Sequence, residues 1–364
     1  MILYVLKRSW HTNLGHEYYI MNKCFIIAEA GVNHNGSKLL AFELVEIAAK
    51  AGADAIKFQT FSADELVRKG TDKASYQKTE TGGGDQHSML KMLEMSKTMH
   101  FELIDHCKLN NIEFMSTAFD KDSLDFLLKH GMKRIKIPSG EITNHPFIRH
   151  VASKNLPIIM STGMCTMDEV VEAQLVILKE RVARGFTTRL ESILTILHCT
   201  SNYPALPEDI NLRAMVAIAE LTGMPIGYSD HTLGLAVSTA AVAMGAVVIE
   251  KHFSKSRSLT GPDHKASLEP DELTELVKSV SIVTKALGSK HKHPTENELP
   301  IRELVRRSVT LNKDVELGSS ITLDDITLKR PGTGILPKYI NEIIGKKAVA
   351  HLYSGDTLNW SDIA

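Results

Sequence analysis

Glu29, Lys57 with Gln59, Ser116 with Thr117, Lys136 with Ser139 and Glu141, Ser161, His198 with Ser201 and Tyr203, Ser229 with Asp230 and His231, and Glu250 with His252 all fall at or just past the end of a short apolar run. A charge on a core strand is expensive unless the strand end opens into a polar site. Each of these residues alone reads as an ordinary loop-facing polar group. Gathered at one end of a sheet they read as a single site.

Within the set, Lys57 and Lys136 with Ser139 and Ser161 form a cationic, hydroxyl-rich group of the kind that holds a phosphate or carboxylate. The competing arrangement pairs the lysines with Glu29 or Glu141 in salt bridges across strand ends. Thr166 and Glu169 form a T-x-x-E capping box soon after Ser161-Thr162-Gly163, which sets a helix N-terminus and its positive dipole on that side. His231 and His252 end consecutive apolar runs. Two neutral imidazoles plus water hold a divalent ion with open positions, as a Lewis acid requires, and the same spacing also suits two hydrogen-bonding histidines without metal. Asp230 and Glu250 stand one and two residues away, placed to orient those rings.

The elements that position these groups recur as a cycle. Cys24–Glu29 is a short apolar run followed by a turn-rich stretch. Ser37 then opens a helical pattern with Leu40, Leu44, Ile47, Ala48 and Ala51 on one face, closed by Gly52, and Ala55–Phe58 follows as a second strand. Further strands are predicted at Ile112–Ser116, Arg134–Ile137, Pro157–Ser161, Ile193–His198, Pro225–Tyr228 and Val247–Glu250. Gly52, Gly131 and Gly245 each stand five residues before a charged strand residue (Lys57, Lys136 and Glu250). The glycine ends the helix in a left-handed cap. Eight such units predict a (β/α)8 barrel with its active site at the strand C-termini. An open doubly wound sheet lacks its G-x-G-x-x-G after the first strand. Arg68–Ser88 is long, polar and glycine-containing, and is predicted as a mobile cover over that face. Met89, Met92 and Met95 in the helix after it are assigned to core packing.

The whole chain has 364 residues, with 42 Lys+Arg against 43 Asp+Glu, so charge gives no reason to expect a nucleic-acid partner. No apolar run approaches the ~20 residues of a membrane span, so no membrane partner is expected. Cys24, Cys107, Cys165 and Cys199 lie far apart without a C-x-x-C pair and are expected as reduced thiols, which with the absence of a signal-peptide core suggests the cytoplasm. Residues 1–20 are set aside as an N-terminal extension, or a misassigned start ahead of Met21. The barrel domain is assigned to 21–288, a polar linker carrying His291 and His293 to 289–302, and a small β-rich domain to 303–364. In the last, Gly318-x-x-Ile321-x-x-x-Asp325-Ile326 is echoed by Gly355-x-x-Leu358-x-x-x-Asp362-Ile363, a pseudo-symmetric repeat.

FIIAEAGVNHNG, ADAIKFQT, IKIPSGE, STGM, LHCTSNYP, IGYSDHT, GAVVIEKHF, GPDHKASLEP, RRS and KRPGTG, in this order from Phe25 to the C-terminus, resemble the sialic acid synthases and their legionaminate relatives. The resemblance implies a (β/α)8 barrel followed by an antifreeze-like SAF domain, in a homodimer whose SAF domains are swapped onto the partner barrels. It implies condensation of phosphoenolpyruvate with an N-acylated hexosamine and loss of phosphate by C–O cleavage. N-acetylmannosamine, giving N-acetylneuraminate, is taken first. The alternative is 2,4-diacetamido-2,4,6-trideoxymannose, giving N,N'-diacetyllegionaminate. Carried over by position, phosphoenolpyruvate would meet Lys57, Thr117, Lys136, Ser139, Ser161, Ser201 and Ser229. His231 and His252 would hold Mn2+ or Mg2+, with Glu29 handling the attacking water or a proton at the enol carbon. Gln59, Glu141, Tyr203, Asp263 and, from the other subunit, Arg330 would hold the sugar.

Ser201-Asn202 departs from the N-x-Y-P of some members, and Arg306-Arg307 stands where some relatives carry aromatics. A 6-phosphate on the sugar would need an added cation, for which Arg306 or Lys265 is available. A Schiff-base aldolase using Lys57 or Lys136 on pyruvate is a second enzyme class, revealed by borohydride trapping. An ice- or glycan-binding C-terminal module is the non-enzymatic reading, and it explains none of the strand-end groups.

Overall fold

The computed structural model describes residues 23–364, so the expected extension at 1–20 and Met21 lie outside the described residues. The chain divides into two compact units, the first ending at Gly288 and the second running Ser289–Ala364.

The first unit is built on eight parallel strands: β1 (Phe25–Gly31), β2 (Ala55–Thr60), β3 (Glu113–Ala118), β4 (Ile135–Ile137), β5 (Ile158–Ser161), β6 (Leu194–Cys199), β7 (Ile226–Asp230) and β8 (Val248–His252). They pair in the order β3-β2-β1-β8-β7-β6-β5-β4, and the two end strands pack against each other, so the sheet curls into a barrel. Helices follow the strands and bury their apolar faces outside the sheet, in a core that includes Leu44, Leu103, Leu127, Ile177 and Leu276. The glycine signal is structural. Gly52, Gly131 and Gly245 have φ of 84°, 97° and 102°, a backbone that L side chains rarely adopt.

A second, smaller apolar cluster fills the barrel lumen: Ile27, Ala55, Met115, Ile159, Leu197 and Val248. Side chains two apart on a strand share a face. Two residues on from these floor residues stand Glu29, Lys57, Thr117, Ser161, Cys199 and Glu250, so one period-two step carries the lumen from apolar floor to polar mouth. Register then sets them level: Glu29 lies opposite Lys57 on β2 and His252 on β8, and Ser229 opposite Glu250.

The segment predicted as a loop at Arg68–Ser88 is folded. Ser75–Thr81 is a helix, and a second helix, Gln86–Leu93, begins before the predicted methionine helix. Lys73 holds the turn between them by donating from Nζ to Thr81 Oγ1 at 2.9 Å and to the carbonyls of Gly82 and Gly83. This buried cation, which the polar composition concealed, gives the segment its own polar centre. Met89 is buried but Met92 is 72% exposed, so the methionines do not form one core stripe.

In the second unit, β9 (Ser308–Leu311) pairs antiparallel with β10 (Ile326–Lys329), and the helix Glu298–Val305 runs from the end of the expected linker into the domain expected from 303. The two halves of the sequence repeat fold alike. Gly318 and Gly355 both have positive φ, and Ile321 and Leu358 are both buried. The Asp325 carboxylate accepts from Thr322 N at 2.6 Å, and that of Asp362 from Asn359 N at 2.7 Å. All four cysteines are free thiols. No helix among the described residues is long and apolar enough to cross a membrane.

Candidate active site

At the mouth of the barrel two lysines and two glutamates are buried together. Lys57 Nζ lies 2.6 Å from Glu29 Oε2 and 3.6 Å from Glu250 Oε2, and donates to Thr117 Oγ1 at 2.9 Å. Lys136 Nζ donates to Glu250 Oε1 at 2.6 Å, and Ser229 Oγ donates to the same oxygen at 3.0 Å. Burial pushes the Glu29 carboxyl up, against the pull of Lys57, to about 7. Glu250 is driven the other way: burial would raise it, but Lys136 and Lys57 outweigh that and keep it ionised. Burial lowers Lys57 less than Glu250 and Glu29 raise it, so Lys57 stays a cation, while burial leaves Lys136 below its ordinary value. The salt bridges considered as the alternative to an anion site therefore exist, with Glu250 and not Glu141 as the partner of Lys136.

Beside the lysines is a hydroxyl-lined cradle. Ser139 Oγ accepts from Gly163 N at 2.8 Å, and Ser161 Oγ is buried without a partner. A Cβ on Gly163 would collide with the hydroxyls of Ser201 and Ser139, so only glycine lets the three approach. The helix Met167–Ala183 begins here with the expected capping box, Thr166 with Glu169. Backbone amides, hydroxyls and two ammonium groups around one space suit a phosphate or carboxylate.

His231 and His252 come together as predicted, with ring centroids 5.5 Å apart. The ring of His231 is oriented by the Thr200 carbonyl, 2.7 Å from Nδ1, which must therefore carry a proton, so that Nε2 is the nitrogen available to a ligand. His252 is buried, with Nδ1 unpartnered, and burial holds its pKa well below the ordinary value, so it is a neutral imidazole. Its ring packs on Gly31, where a Cβ would sit 3.1 Å from Cε1. Burial would lower the His231 imidazole, but Cys199 and the Thr200 carbonyl outweigh it and raise its pKa; His231 Nε2 together with the orphaned Nδ1 of the neutral His252 ring fits a divalent ion. Among the described residues no three His, Cys, Asp or Glu side chains gather as metal ligands, so such an ion would take its other positions from water or substrate.

The residues expected to orient the histidines do something else. Asp230 faces outward, where Lys251 Nζ donates to it at 2.7 Å, and Thr232 and Ser238 also bond it. Ser116 and His198 face outward too. Ser116 meets Thr60 at 2.6 Å, and His198 meets the Ile210 carbonyl at 2.7 Å. Strand alternation is the reason: each stands one residue from an inward-facing group.

Of the residues assigned to the sugar, Gln59, Tyr203 and Asp263 line one cavity of about 110 Å³ together with His252. Tyr203 stacks on Tyr76 (5.2 Å between centroids) and lies 4.1 Å from the His231 ring. Burial raises Asp263 to about 6 despite His231. Glu141 is outside this cavity and accepts from Asn144 Nδ2 at 2.6 Å. Arg330 is an exposed residue of the second unit. Tyr76, Gln77, Met89, Leu90 and Leu93 also line the cavity, and none was singled out from sequence as a site residue. Their only signal was a position in the segment after β2.

A buried anion cradle beside two converging imidazoles, at the C-terminal mouth of a parallel barrel, defines a (β/α)8 enzyme. The sequence profile of the NeuB family matches residues 44–292, and that of the SAF domain 306–364. The chain is 52% identical over 341 residues to the N,N'-diacetyllegionaminic acid synthase of Legionella pneumophila, covering 93% of this chain and 94% of that protein. It is 44% identical to the enzyme of the same description in Campylobacter jejuni, over 93% and 99% of the two chains. The crystal structure of an N-acetylneuraminic acid (sialic acid) synthetase from Leptospira borgpetersenii superposes with a TM-score of 0.66 at 33% identity, over 77% and 90% of the chains. The protein belongs to the NeuB family: it is a sialic-acid-type synthase with a C-terminal SAF domain.

Proposed function

We propose that the enzyme condenses phosphoenolpyruvate with 2,4-diacetamido-2,4,6-trideoxymannose to give N,N'-diacetyllegionaminate and phosphate. The motif resemblance alone puts N-acetylmannosamine first. Identities of 52% and 44% to two N,N'-diacetyllegionaminic acid synthases, against 33% to the sialic acid synthetase, favour the diacetamido sugar instead. The observation that carries the reaction class is the buried Lys57–Glu29–Glu250–Lys136 group beside the serine cradle.

In this reading Lys57 and Lys136 bind the phosphate and carboxylate of phosphoenolpyruvate, and Thr117, Ser139, Ser161, Ser201 and Ser229 supply hydrogen bonds around them. The charged contacts cost little reorganisation, because Glu29 and Glu250 already hold both ammonium groups in place. His231 and His252 would hold Mn2+ or Mg2+, which supplies Lewis-acid polarisation of the sugar aldehyde when bound. Glu29, level with Lys57 and His252, holds the water that adds at the former enol carbon or moves its proton. Gln59, Tyr203, Asp263 and Glu141 orient the sugar, with Arg330 reaching it from the partner subunit of a swapped dimer.

Phosphate release from phosphoenolpyruvate with Mn2+, comparing the two sugars with and without EDTA, tests this. Metal-dependent release with the diacetamido sugar is expected. Release with N-acetylmannosamine alone would move the product to N-acetylneuraminate, and release with neither sugar would sink the reaction.

A further inference from the structure

The cavity of about 110 Å³ at the mouth of the first unit is smaller than the ~300–1,000 Å³ of sites that hold whole small molecules. It is a subsite of mixed lining: Gln59, Tyr76, Gln77, Tyr203, His252 and Asp263 carry polar groups, and Val32, Met89, Leu90, Leu93 and Pro262 are apolar. No lysine or arginine lines it. The apolar part of the lining is a packed structure in its own right: Val32, Met89 and Leu93 are buried with Phe61 in a cluster separate from the barrel core, and Leu90 packs against it half-buried.

This wall is held in place from several directions. The helix Gln86–Leu93 is capped by Asp85, which accepts from Ser88 N at 2.9 Å, and His87 meets Asp64 at 2.9 Å. Glu80 binds Lys265 at 2.8 Å, tying the preceding helix to the segment after β8. Lys265, the residue available to a sugar 6-phosphate, is thus engaged elsewhere and does not line the cavity.

We propose that Met89, Leu90 and Leu93, with Val32 and Pro262, receive the deoxygenated carbon-six end of the hexose and set the preference for a 6-deoxy sugar over its 6-hydroxy and 6-phosphorylated counterparts. The inference rests on the reading of the site above, in which the aldehyde lies by the imidazoles, so that the end remote from His252 receives the far end of the sugar. A methyl group there stays in apolar contact. A hydroxyl would be desolvated among Val32, Met89, Leu90, Leu93 and Pro262, none of which has a side-chain hydrogen-bonding group, and a phosphate would meet no lysine or arginine of the lining. An apolar pocket discriminates a single added hydroxyl by about 100-fold at most, which bounds the effect.

The test uses the full-length Mn2+-loaded enzyme and compares kcat/KM for 2-acetamido-2,6-dideoxymannose and N-acetylmannosamine, which differ only by the hydroxyl at carbon six. Wild type is expected to favour the deoxy sugar by about 10- to 100-fold. Leu90→Asn and Met89→Gln are expected to cut that ratio about tenfold or more, with the KM for phosphoenolpyruvate unmoved. Leu90 is half-buried, so its variant keeps the test open if Met89→Gln does not fold. No preference in wild type, or an unchanged ratio in a folded variant, overturns the proposal. The 2,4-diacetamido sugar is run alongside: its failure where N-acetylmannosamine succeeds refutes the substrate reading, while the carbon-six ratio still reports on the wall.

Discussion

At the scale of single residues the site is governed by compensation among buried charges. Lys136 has one carboxylate, Glu250, at 2.6 Å, and Lys57 has two within 3.6 Å. Removing Lys136 leaves Glu250 to Lys57 and Ser229, and takes one of two ammonium groups from the anion. Lys136→Met is expected to raise the KM for phosphoenolpyruvate about 10- to 100-fold, the worth of one charged hydrogen bond, in steady-state phosphate release. The lysines and serines of this group were legible in the sequence because each ends an apolar run. Glu250 as their counter-charge was not, because it lies 114 residues from Lys136 and a sequence shows no partner at that separation.

At the scale of elements, β8 ends on the imidazole of His252 and β7 just before that of His231, and the two strands carry an ion pair on their outer faces. Lys251 Nζ lies 2.7 Å from Asp230 and equally close to the Thr232 carbonyl, with both charges almost fully buried. Lys251→Met would strand the Asp230 carboxylate, and a loss of about 3–5 kcal/mol is expected in denaturant unfolding. The loop that turns back from β1 over the barrel, and the segment after β8, carry two further buried titrating groups. Burial lowers His34 and His264 from 6.5 to about 4. The folded state holds both neutral, so their contribution is intact above pH 6.5 and is lost as pH falls from 6.5 towards 4, where the unfolded chain takes up protons first. Glu29 and Asp263, raised to about 7 and 6, take up protons in the folded state over the same range and offset this loss, so the test is a difference: the unfolding midpoint of wild type relative to His34→Gln is expected to fall as pH drops from 6.5 to 4.5. A difference that stays constant from pH 7 to 4.5 would contradict the assignment.

At the scale of the whole molecule, the proposed swap of SAF domains makes a prediction that no single chain can satisfy. If Arg330 serves the partner's barrel, His231→Ala and Arg330→Ala dimers are each impaired, yet a mixed dimer restores one intact site. Co-refolding the two variants is expected to recover about a quarter of wild-type activity, since half the dimers are mixed and each carries one good site. If each SAF domain served its own barrel, mixing would recover nothing, and the measured rate would remain the average of the two variants.

The sequence by itself determined the eight βα cycles, the strand ends that carry polar groups, the internal repeat of the C-terminal unit and the family. These are local properties: an apolar run, a helix-ending glycine and a motif are all readable within a few residues. The tertiary structure decided which face each polar residue occupies. Ser116, His198 and Asp230 point outward while Thr117, Ser229 and Glu250 point inward, and a strand of three to seven residues does not disclose which alternation faces the lumen. It also decided that Arg68–Ser88 folds around Lys73 and brings Tyr76 onto Tyr203 and Met89 into the cavity wall. Those contacts join residues far apart in the chain, and only closure of the barrel puts them side by side.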